Sequence, residues 1–264
     1  SSSDTALVTE QLYEHLGQIS GILFFLLGAM AIVELIDAHD GFEVITSRIT
    51  TKDKRKLLWI IGFVTFFLSS VLDNLTTTIV MVSLLRKLIT DRQTRMFYIG
   101  LVIIAANAGG AWTPIGDVTT TMLWIGGQIT TGNIMIKLIA PSLACLIVPL
   151  VFLSFRIRGK IENTAIVENR STNPTNAFER KLIFGLGIGA LIFVPVFKTI
   201  THLPPFLGML FGLGILWVVT EIIHKNKNEE DKGAYSVVGA LQKADVPSVL
   251  FFLGILVAIA ALES

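Results

Sequence analysis

The feature of this sequence that most restricts its fold is a series of seven long apolar runs. A soluble domain carries about 25% charged residues, whereas this chain of 264 residues has 16% charged and 52% apolar residues. Lipid offers the backbone no hydrogen-bond partners, so a segment that crosses it here must be helical. We therefore expect an all-α polytopic membrane protein with the lipid bilayer as a partner. The runs occupy roughly residues 17–38, 57–89, 96–127, 134–155, 182–198, 203–223 and 247–262.

Charge and cysteine content exclude several other classes of protein. A net charge of +1 provides no basic field for binding nucleic acid. The single cysteine, Cys145, cannot form a disulfide framework or a thiolate metal site. We expect neither a nucleic-acid partner nor a bound cofactor.

The ends of the chain indicate a piece of a longer protein. The chain opens at Ser1 without methionine, and its last apolar run stops at Ser264, short of the roughly 20 residues that a span needs. Residues 1–16 have no basic stretch of the kind that begins a signal peptide.

Lysine and arginine, which favour the cytoplasmic side of a membrane, indicate how the runs are oriented. They are absent from residues 1–16 and frequent after the first, second, fourth and sixth runs. One topology fits. Residues 1–16 form an external polar segment, the first run crosses inward, and the second leaves and returns on the cytoplasmic side. Residues 157–181 and 225–246 are then cytoplasmic loops.

Two runs cannot be simple spans. The run 57–89 is too long for one crossing and too short for two, and Asp73 and Asn74 lie near its middle. We expect a re-entrant helical hairpin with its tip there. Glycines and Pro114 interrupt the run 96–127, which predicts a broken transmembrane helix with half-helices near 96–111 and 117–127.

A weak internal repeat suggests two inverted halves. Residues 23–26 and 250–253 both read Leu-Phe-Phe-Leu, and the charge pattern gives the two copies opposite directions. Inverted repeats with broken helices are typical of secondary transporters. We expect a first-repeat transport unit over 17–156 and the start of a second inverted repeat over 182–264, with the truncated span 247–264 at its end.

The polar residues inside the apolar runs are the candidates for function. A carboxylate at membrane depth costs roughly 2.5–3.5 kcal/mol or more, so Asp73 and Asp117 need a reason to be there. Each could cap the half-helix that follows it, and capping does not exclude binding. Carboxylate, amide and hydroxyl oxygens together suit a hard cation. The neighbouring oxygen-bearing side chains are those of Asn74, Asn107, Thr113 and Thr119.

A second polar group lies at the cytoplasmic end of the first run. Glu34, Asp37 and His39, followed by Asp40, could simply be solvated beside the membrane. Alternatively they could admit protons or sense pH, since histidine titrates near neutral pH.

The two interrupted runs contain the motifs Ser-Ser-Val-Leu-Asp-Asn-Leu-Thr-Thr-Thr-Ile at 69–79 and Ala-Ala-Asn-Ala-Gly-Gly-Ala-Trp-Thr-Pro-Ile-Gly-Asp-Val-Thr-Thr-Thr at 105–121. In these two motifs the chain resembles NhaD-type sodium/proton antiporters of the ion transporter superfamily. The first run is also similar to that family. The resemblance implies a scaffold and a transport core built from inverted repeats, as well as a homodimer. It also implies two helices upstream and most of a second repeat downstream. The functional residues that it implies are Asp73, Asn74, Asn107, Asp117 and Thr119.

These observations predict a secondary transporter that exchanges Na+ or Li+ for H+ by alternating access. We expect Asp73 to exchange the proton for the ion, with Asp117 as the second candidate. Na+ would lie at Asp73, Asn74 and Asn107. The break supplies backbone that can approach closely and offer carbonyl oxygens. Its residues are Gly109, Gly110, Pro114 and Gly116.

Three alternatives remain open from the sequence. An anion, dicarboxylate or arsenite carrier of the same superfamily is disfavoured by two intramembrane carboxylates. An intramembrane aspartyl protease that uses Asp73 and Asp117 is disfavoured because this sequence lacks the Gly-x-Gly-Asp motif usual in such enzymes. We therefore predict no catalytic residue. A channel would conduct without coupled proton flux. A bacterial inner membrane is the expected location, and a plastid envelope is the alternative.

Overall fold

The computed structural model describes residues 2–161, 176–225, 233 and 235–263. Within these ranges the chain is helical and contains no β-strand, only an isolated bridge between Asp53 and Lys160. Five helical segments in these ranges are long and apolar enough to cross a membrane. The predicted fold class, an all-α polytopic membrane protein, is therefore confirmed, while the inverted repeat stays a prediction. The five segments are Ile19–Ala38, Arg92–Ala111, Thr131–Arg156, Ala177–Thr201 and Pro205–Ile223.

The helices follow the apolar runs in order and form two compact units. One unit contains α1 and the chain from Gly185 onward, and the other extends from Asp40 to Phe184. The helices are α1 Ser2–Ala38, α2 Glu43–Thr46, α3 Lys54–Ser69, α4 Asn74–Leu88, α5 Arg92–Ala111, α6 Val118–Ile125, α7 Thr131–Arg156, α8 Ala177–Thr201, α9 Pro205–Ile223, α10 Val237–Lys243 and α11 Val246–Glu263.

The second apolar run forms two helices, α3 and α4, which pack against each other. They have 16 and 15 residues, so at 1.5 Å per residue they are about 24 and 22 Å long. Both are shorter than the roughly 30 Å hydrocarbon core of a bilayer. This form is the one expected of the predicted hairpin, whose tip residues Ser70–Asp73 separate the helices.

The third apolar run is broken where the sequence predicts, but its two parts are unequal. Helix α5 has 20 residues and α6 has 8, about 30 and 12 Å long. The two helices correspond to the pieces predicted near 96–111 and 117–127, except that α5 starts at Arg92 instead of near 96. Its first turn is polar, and Asp91 caps it by accepting a hydrogen bond from the Thr94 backbone N–H at 2.7 Å. A hydrogen bond from the Thr94 hydroxyl, together with this backbone bond, holds the pKa of the exposed Asp91 carboxyl below its ordinary value.

Helix α5 is central to its unit and packs against α3, α4 and α7. Its buried face consists largely of small residues near the break, among them Ala105, Ala106 and Ala108. Small residues let helices approach closely in membranes, where van der Waals contact replaces the hydrophobic effect. The close approach brings the hairpin tip next to the break between α5 and α6.

The other unit is built on α1, which packs against α9, α10 and α11. Ala31, Ile32, Leu35 and Ile36 of α1 are fully buried. The sequence predicts an external polar segment over residues 1–16 that is separate from the first span. In the structure the two are continuous, since one helix extends from Ser2 to Ala38.

The second predicted loop, 225–246, is partly wrong. It contains α10, whose start is capped by the Ser236 hydroxyl, which accepts a hydrogen bond from the Gly239 N–H at 3.0 Å. In the first predicted loop, 157–181, residues 162–175 lie outside the described residues and 177–181 already belong to α8.

Candidate ion-binding site

Asp73 lies at the tip of the hairpin and caps the start of α4. Its backbone is extended, and its Oδ1 accepts a hydrogen bond from the Thr76 N–H at 2.8 Å. Its Oδ2 accepts a second bond from the Thr76 hydroxyl at 2.6 Å. Both carboxylate oxygens are therefore engaged by one threonine, and the positive end of the α4 dipole favours their negative charge.

Asp117 has the same role at the start of α6, with one difference. Its Oδ1 accepts hydrogen bonds from the Thr119 N–H, at 2.8 Å, and from the Thr119 hydroxyl. Its Oδ2 takes no part in the cap and instead accepts a hydrogen bond from Asn74 Nδ2 at 2.8 Å. Asp117 thus keeps one oxygen facing the hairpin.

The same amide nitrogen of Asn74 also donates to Asn107 Oδ1 at 3.0 Å. Asn107 Nδ2 donates to the Ile103 carbonyl at 2.8 Å, which orients its side-chain oxygen toward Asn74. We call Asn74, Asn107 and Asp117 the amide cluster. It joins the first residue of α4, the C-terminal part of α5 and the cap of α6.

The amide cluster is only partly enclosed. Asn74 and Asp117 are half-buried, as is the neighbouring Asp73, whereas Asn107 and Thr119 are exposed. In the described part of the chain, no group of three or more His, Cys, Asp or Glu side chains could hold a metal ion. A cation at this cluster would therefore depend on amide, hydroxyl and carbonyl oxygens as well as a carboxylate, which are ligands for hard cations.

Thr113, predicted as an ion ligand, is used to hold the break in place. Its hydroxyl is buried, donates to the Ser70 carbonyl at 2.6 Å and accepts from the Gly116 N–H at 3.1 Å. Ser69 adds a parallel link by donating to the Ala106 carbonyl at 2.6 Å. The Thr113 bond connects the hairpin tip to the break between α5 and α6, and the Ser69 bond connects the end of α3 to α5.

Three glycines let the backbones meet at this point. A Cβ on Gly109 would lie 2.1 Å from the Phe66 carbonyl oxygen, and one on Gly116 would lie 2.4 Å from that of Ser69. A Cβ on Gly110 would lie 2.3 Å from the Gly116 carbonyl oxygen. Real Cβ atoms do not approach oxygen so closely, so any side chain would push the hairpin, α5 and the break apart.

Pro114 and the threonines of α6 complete the break. Pro114 is buried, and its carbonyl accepts a hydrogen bond from the Thr121 hydroxyl at 2.9 Å. The Thr120 hydroxyl donates to the Asp117 carbonyl at 2.8 Å. The run of three threonines after Asp117 therefore ties the first turn of α6 to the residues that precede it.

Two polar groups near the site were not singled out from the sequence. Thr76 occupies both oxygens of Asp73, and a threonine three residues after a capping aspartate is a signal that could have shown it. The Thr77 hydroxyl is fully buried and, within the described residues, has no hydrogen-bond partner. No sequence pattern indicates that orphaned hydroxyl.

The second predicted group, Glu34, Asp37 and His39, belongs to the unit built on α1. Glu34 is half-buried and Asp37 is exposed. His39 is fully buried, so the solvated interpretation is wrong for it, and its ring meets that of His224. Sequence reasoning missed His224, which lies 185 residues away along the chain.

Comparison with known proteins identifies relatives of this chain. A family profile described as citrate transporter matches residues 6–264. Sodium/proton antiporter 1 of Arabidopsis thaliana is 51% identical over 263 residues, which are 98% of this chain and 45% of that protein. Sodium/proton antiporter 2 of the same plant is 49% identical, over 98% of this chain and 61% of that protein.

More distant bacterial relatives carry the family name predicted from the two motifs. The Na+/H+ antiporter NhaD of Alkalimonas amylolytica is 28% identical over 287 residues, covering 99% of this chain and 58% of that protein. The predicted resemblance to NhaD-type antiporters is therefore confirmed. The chain spans about half the length of the curated relatives it matches. Because the family profile covers nearly all of the sequence, the chain belongs to the citrate transporter family.

Proposed function

We propose that the full protein is a secondary transporter that exchanges Na+ for H+, and that the amide cluster is part of its ion site. The observation that carries this proposal is the pair of hydrogen bonds from Asn74 Nδ2 to Asn107 Oδ1 and Asp117 Oδ2. The names of the relatives, which are sodium/proton antiporters, support the same activity.

In this arrangement the amide group of Asn74 occupies the place of a cation. Two oxygens, one neutral and one from a carboxylate, accept hydrogen bonds from a single NH2 group. Rotation of the amide would exchange its nitrogen for its oxygen, which is an acceptor. Three oxygens would then face one another, an arrangement that is repulsive when empty and favourable around Na+. The empty site is thus satisfied without an ion and can open for one.

Asp117 provides the exchange between ion and proton. A carboxylate either bears a proton and donates a hydrogen bond, or is ionised and attracts a cation. Binding Na+ at Oδ2 and binding a proton there exclude each other, which is the coupling that antiport requires. Thr119 holds the other oxygen in the cap, so the exchange takes place without loss of the α6 start.

Asp73, the first candidate predicted from the sequence, contributes in a second way. Its oxygens are bound to Thr76, and it precedes Asn74 directly in the chain. It fixes the start of α4 and adds a second negative charge close to the proposed ion. We retain it in the site, together with Thr113 and the three glycines as residues that hold the geometry.

The alternatives fit these residues less well. An anion carrier would place its substrate beside the Asp117 carboxylate, which repels it. An aspartyl protease needs two carboxylates that act on one water, whereas Asp73 and Asp117 each bind the threonine of their own helix start.

Assembly and location complete the proposal. Alternating access would come from movement of the transport core against a scaffold, in a homodimer as the resemblance implies. The chain is an integral membrane protein by its five spanning helices and its family. The bacterial inner membrane is the proposed location and the plastid envelope is the alternative, since relatives named sodium/proton antiporter occur in both bacteria and a plant.

Transport by the full-length protein in proteoliposomes tests the proposal. With a pH dye inside the vesicles, an imposed Na+ gradient should drive proton movement, and a citrate gradient should not. Asp117→Asn keeps a capping side chain and removes the exchangeable charge. Losing a charged partner costs about 1.5–3 kcal/mol, so exchange should fall about 10- to 100-fold. Citrate-driven movement, or a wild-type rate in the variant, would overturn the proposal.

A further inference from the structure

Two buried histidines meet in the unit built on α1. His39 is fully buried and His224 is 3% exposed. Their Nε2 atoms lie 2.9 Å apart, and their rings stack with centroids 5.1 Å apart. The amide cluster contains neither residue, so the proposed ion exchange does not account for this pair.

The hydrogen bonds fix how many protons the pair can hold. His39 Nδ1 lies 2.7 Å from the Leu35 carbonyl oxygen, which can only accept, so Nδ1 bears a hydrogen. In the neutral pair His39 Nε2 is then an acceptor, and His224 Nε2 donates to it. One added proton goes to His224 Nδ1 and leaves the Nε2–Nε2 bond intact. A second would place hydrogens on both Nε2 atoms and separate the rings.

The helices favour this added proton. His39 follows the last residue of α1, and His224 is the C-terminal cap of α9, with its N–H bonded to the Thr220 carbonyl at 3.0 Å. Two helix C-termini thus lie at one pair of imidazoles, and each favours a positive charge. The ring of Tyr235 lies 5.1 and 5.2 Å from the two imidazoles, close enough for a cation–π contribution.

Charged side chains on the surrounding elements add a further bias. Apart from Glu43, whose carboxylate pairs with Arg180, five acids and two lysines lie among the described residues within five positions along the chain of His39, His224 or the end of α10. The sum of their charges therefore also favours a proton. They are Glu34 and Asp37 of α1, Asp40 after His39, Glu221 and Lys225 at the end of α9, Lys243 of α10 and Asp245 before α11. Burial opposes the charge.

We propose that His39 and His224 form a proton-binding site that holds one added proton as a shared imidazole–imidazolium pair. A second protonation parts the ends of α1 and α9 and sets the acid limit of transport. The proton site stands on its own geometry, whereas its effect on transport rests on the proposed antiport.

Nitrogen-15 NMR of histidine in the full-length protein, reconstituted in liposomes, tests the proton site directly. An imidazolium signal that requires both His39 and His224 should appear as the pH falls through the range where histidine titrates, about pH 8 to 5. Both His39→Gln and His224→Gln should remove it, and His202→Asn, a change at an exposed histidine of the same unit, should not. If the signals that both variants remove stay those of neutral imidazole down to pH 5, the proposal is wrong.

The acid limit is measured as the antiport rate against pH at saturating Na+, which excludes competition between Na+ and protons at the ion site. Both glutamine variants should keep their rate at least about one pH unit further into acid than the wild type. With one imidazole replaced by a neutral glutamine, no second protonation can place two positive rings side by side and push the ends of α1 and α9 apart. His202→Asn should match the wild type. An unchanged acid limit in both variants would overturn the regulatory role. If no antiport is seen at all, the NMR titration still decides the proton site, so the two failures are distinguishable.

Discussion

Asn74 Nδ2 donates a hydrogen bond to Asp117 Oδ2 at 2.8 Å, joining two helix starts that lie 43 residues apart. The bond crosses from the hairpin tip to the break between α5 and α6. Asp117 uses Oδ1 to cap α6, and this bond provides a partner of opposite polarity for the remaining oxygen, Oδ2. A cation could replace that partner.

Asp73→Asn separates the capping role of Asp73 from its charge. Asparagine caps helices about as well as aspartate, so α4 should start at the same residue. Loss of the negative charge beside the ion should lower Na+/H+ exchange by about tenfold or more, equivalent to ~1.4 kcal/mol. The assay is proton movement in proteoliposomes of the full-length protein. Asp91→Asn, at the exposed cap of α5, is the control and should transport normally. A wild-type rate in Asp73→Asn would show that Asp73 is a cap only.

Asn107→Ala removes one neutral oxygen from the amide cluster. We expect the KM for Na+ to rise about fivefold, because one hydrogen-bond-sized interaction is worth about 1 kcal/mol. The maximal rate should change less, since Asp117 and its proton remain. Asn133→Ala changes an exposed asparagine in the first turn of α7 and should leave KM unaltered. Equal KM values in the two variants would exclude Asn107 as a ligand.

Gly110→Ala tests the close approach of the break to α5. The new Cβ would lie 2.3 Å from the Gly116 carbonyl oxygen and 3.4 Å from the Asp117 Cβ. Relieving that overlap must displace Asp117 from Asn74, and overpacking of this kind costs about 1–3 kcal/mol. Transport should be lost or strongly reduced.

Gly100→Ala is the matched control for this change. Gly100 lies in the same helix, with no atom within 4 Å of a Cβ added there. Its transport rate should equal that of the wild type. Similar rates in the Gly100 and Gly110 variants would contradict the role given to the close contact.

Thr113→Val tests whether Thr113 holds the break to the hairpin. Valine has nearly the same shape but leaves the Ser70 carbonyl and the Gly116 N–H without their partner. Loss of a buried hydrogen bond costs about 1–3 kcal/mol, so the unfolding temperature of the full-length protein in detergent should fall. Thr113→Ser keeps the hydroxyl and should unfold near the wild-type temperature. Equal unfolding temperatures for the valine and serine variants would argue against this role.

The sequence predicts the helices well because lipid imposes both their length and their apolar character. It predicts their ends less well, since caps determine them. Helix α3 starts at Lys54, not at 57, because Asp53 accepts a hydrogen bond from the Lys56 N–H at 2.9 Å. The sequence predicts a loop where α10 lies, because a short helix whose start depends on the Ser236 cap gives little signal in the sequence.

The candidate site is predictable residue by residue but not in its pairing. Helix breaks and buried charge point to Asp73 and Asp117 equally. Only the folded chain shows that Thr76 takes both oxygens of Asp73, whereas Asp117 keeps one for Asn74. The partner of His39 is likewise set by tertiary packing, since nothing local to either residue relates it to His224.

Proton release on Na+ binding tests the central claim most directly. Purified full-length protein in weakly buffered detergent solution is mixed with Na+ while a pH dye records the protons released. The wild type should release protons, because Na+ displaces them from Asp117, and Asp117→Asn should release few or none. Proton release from Asp117→Asn equal to that of the wild type would contradict the account.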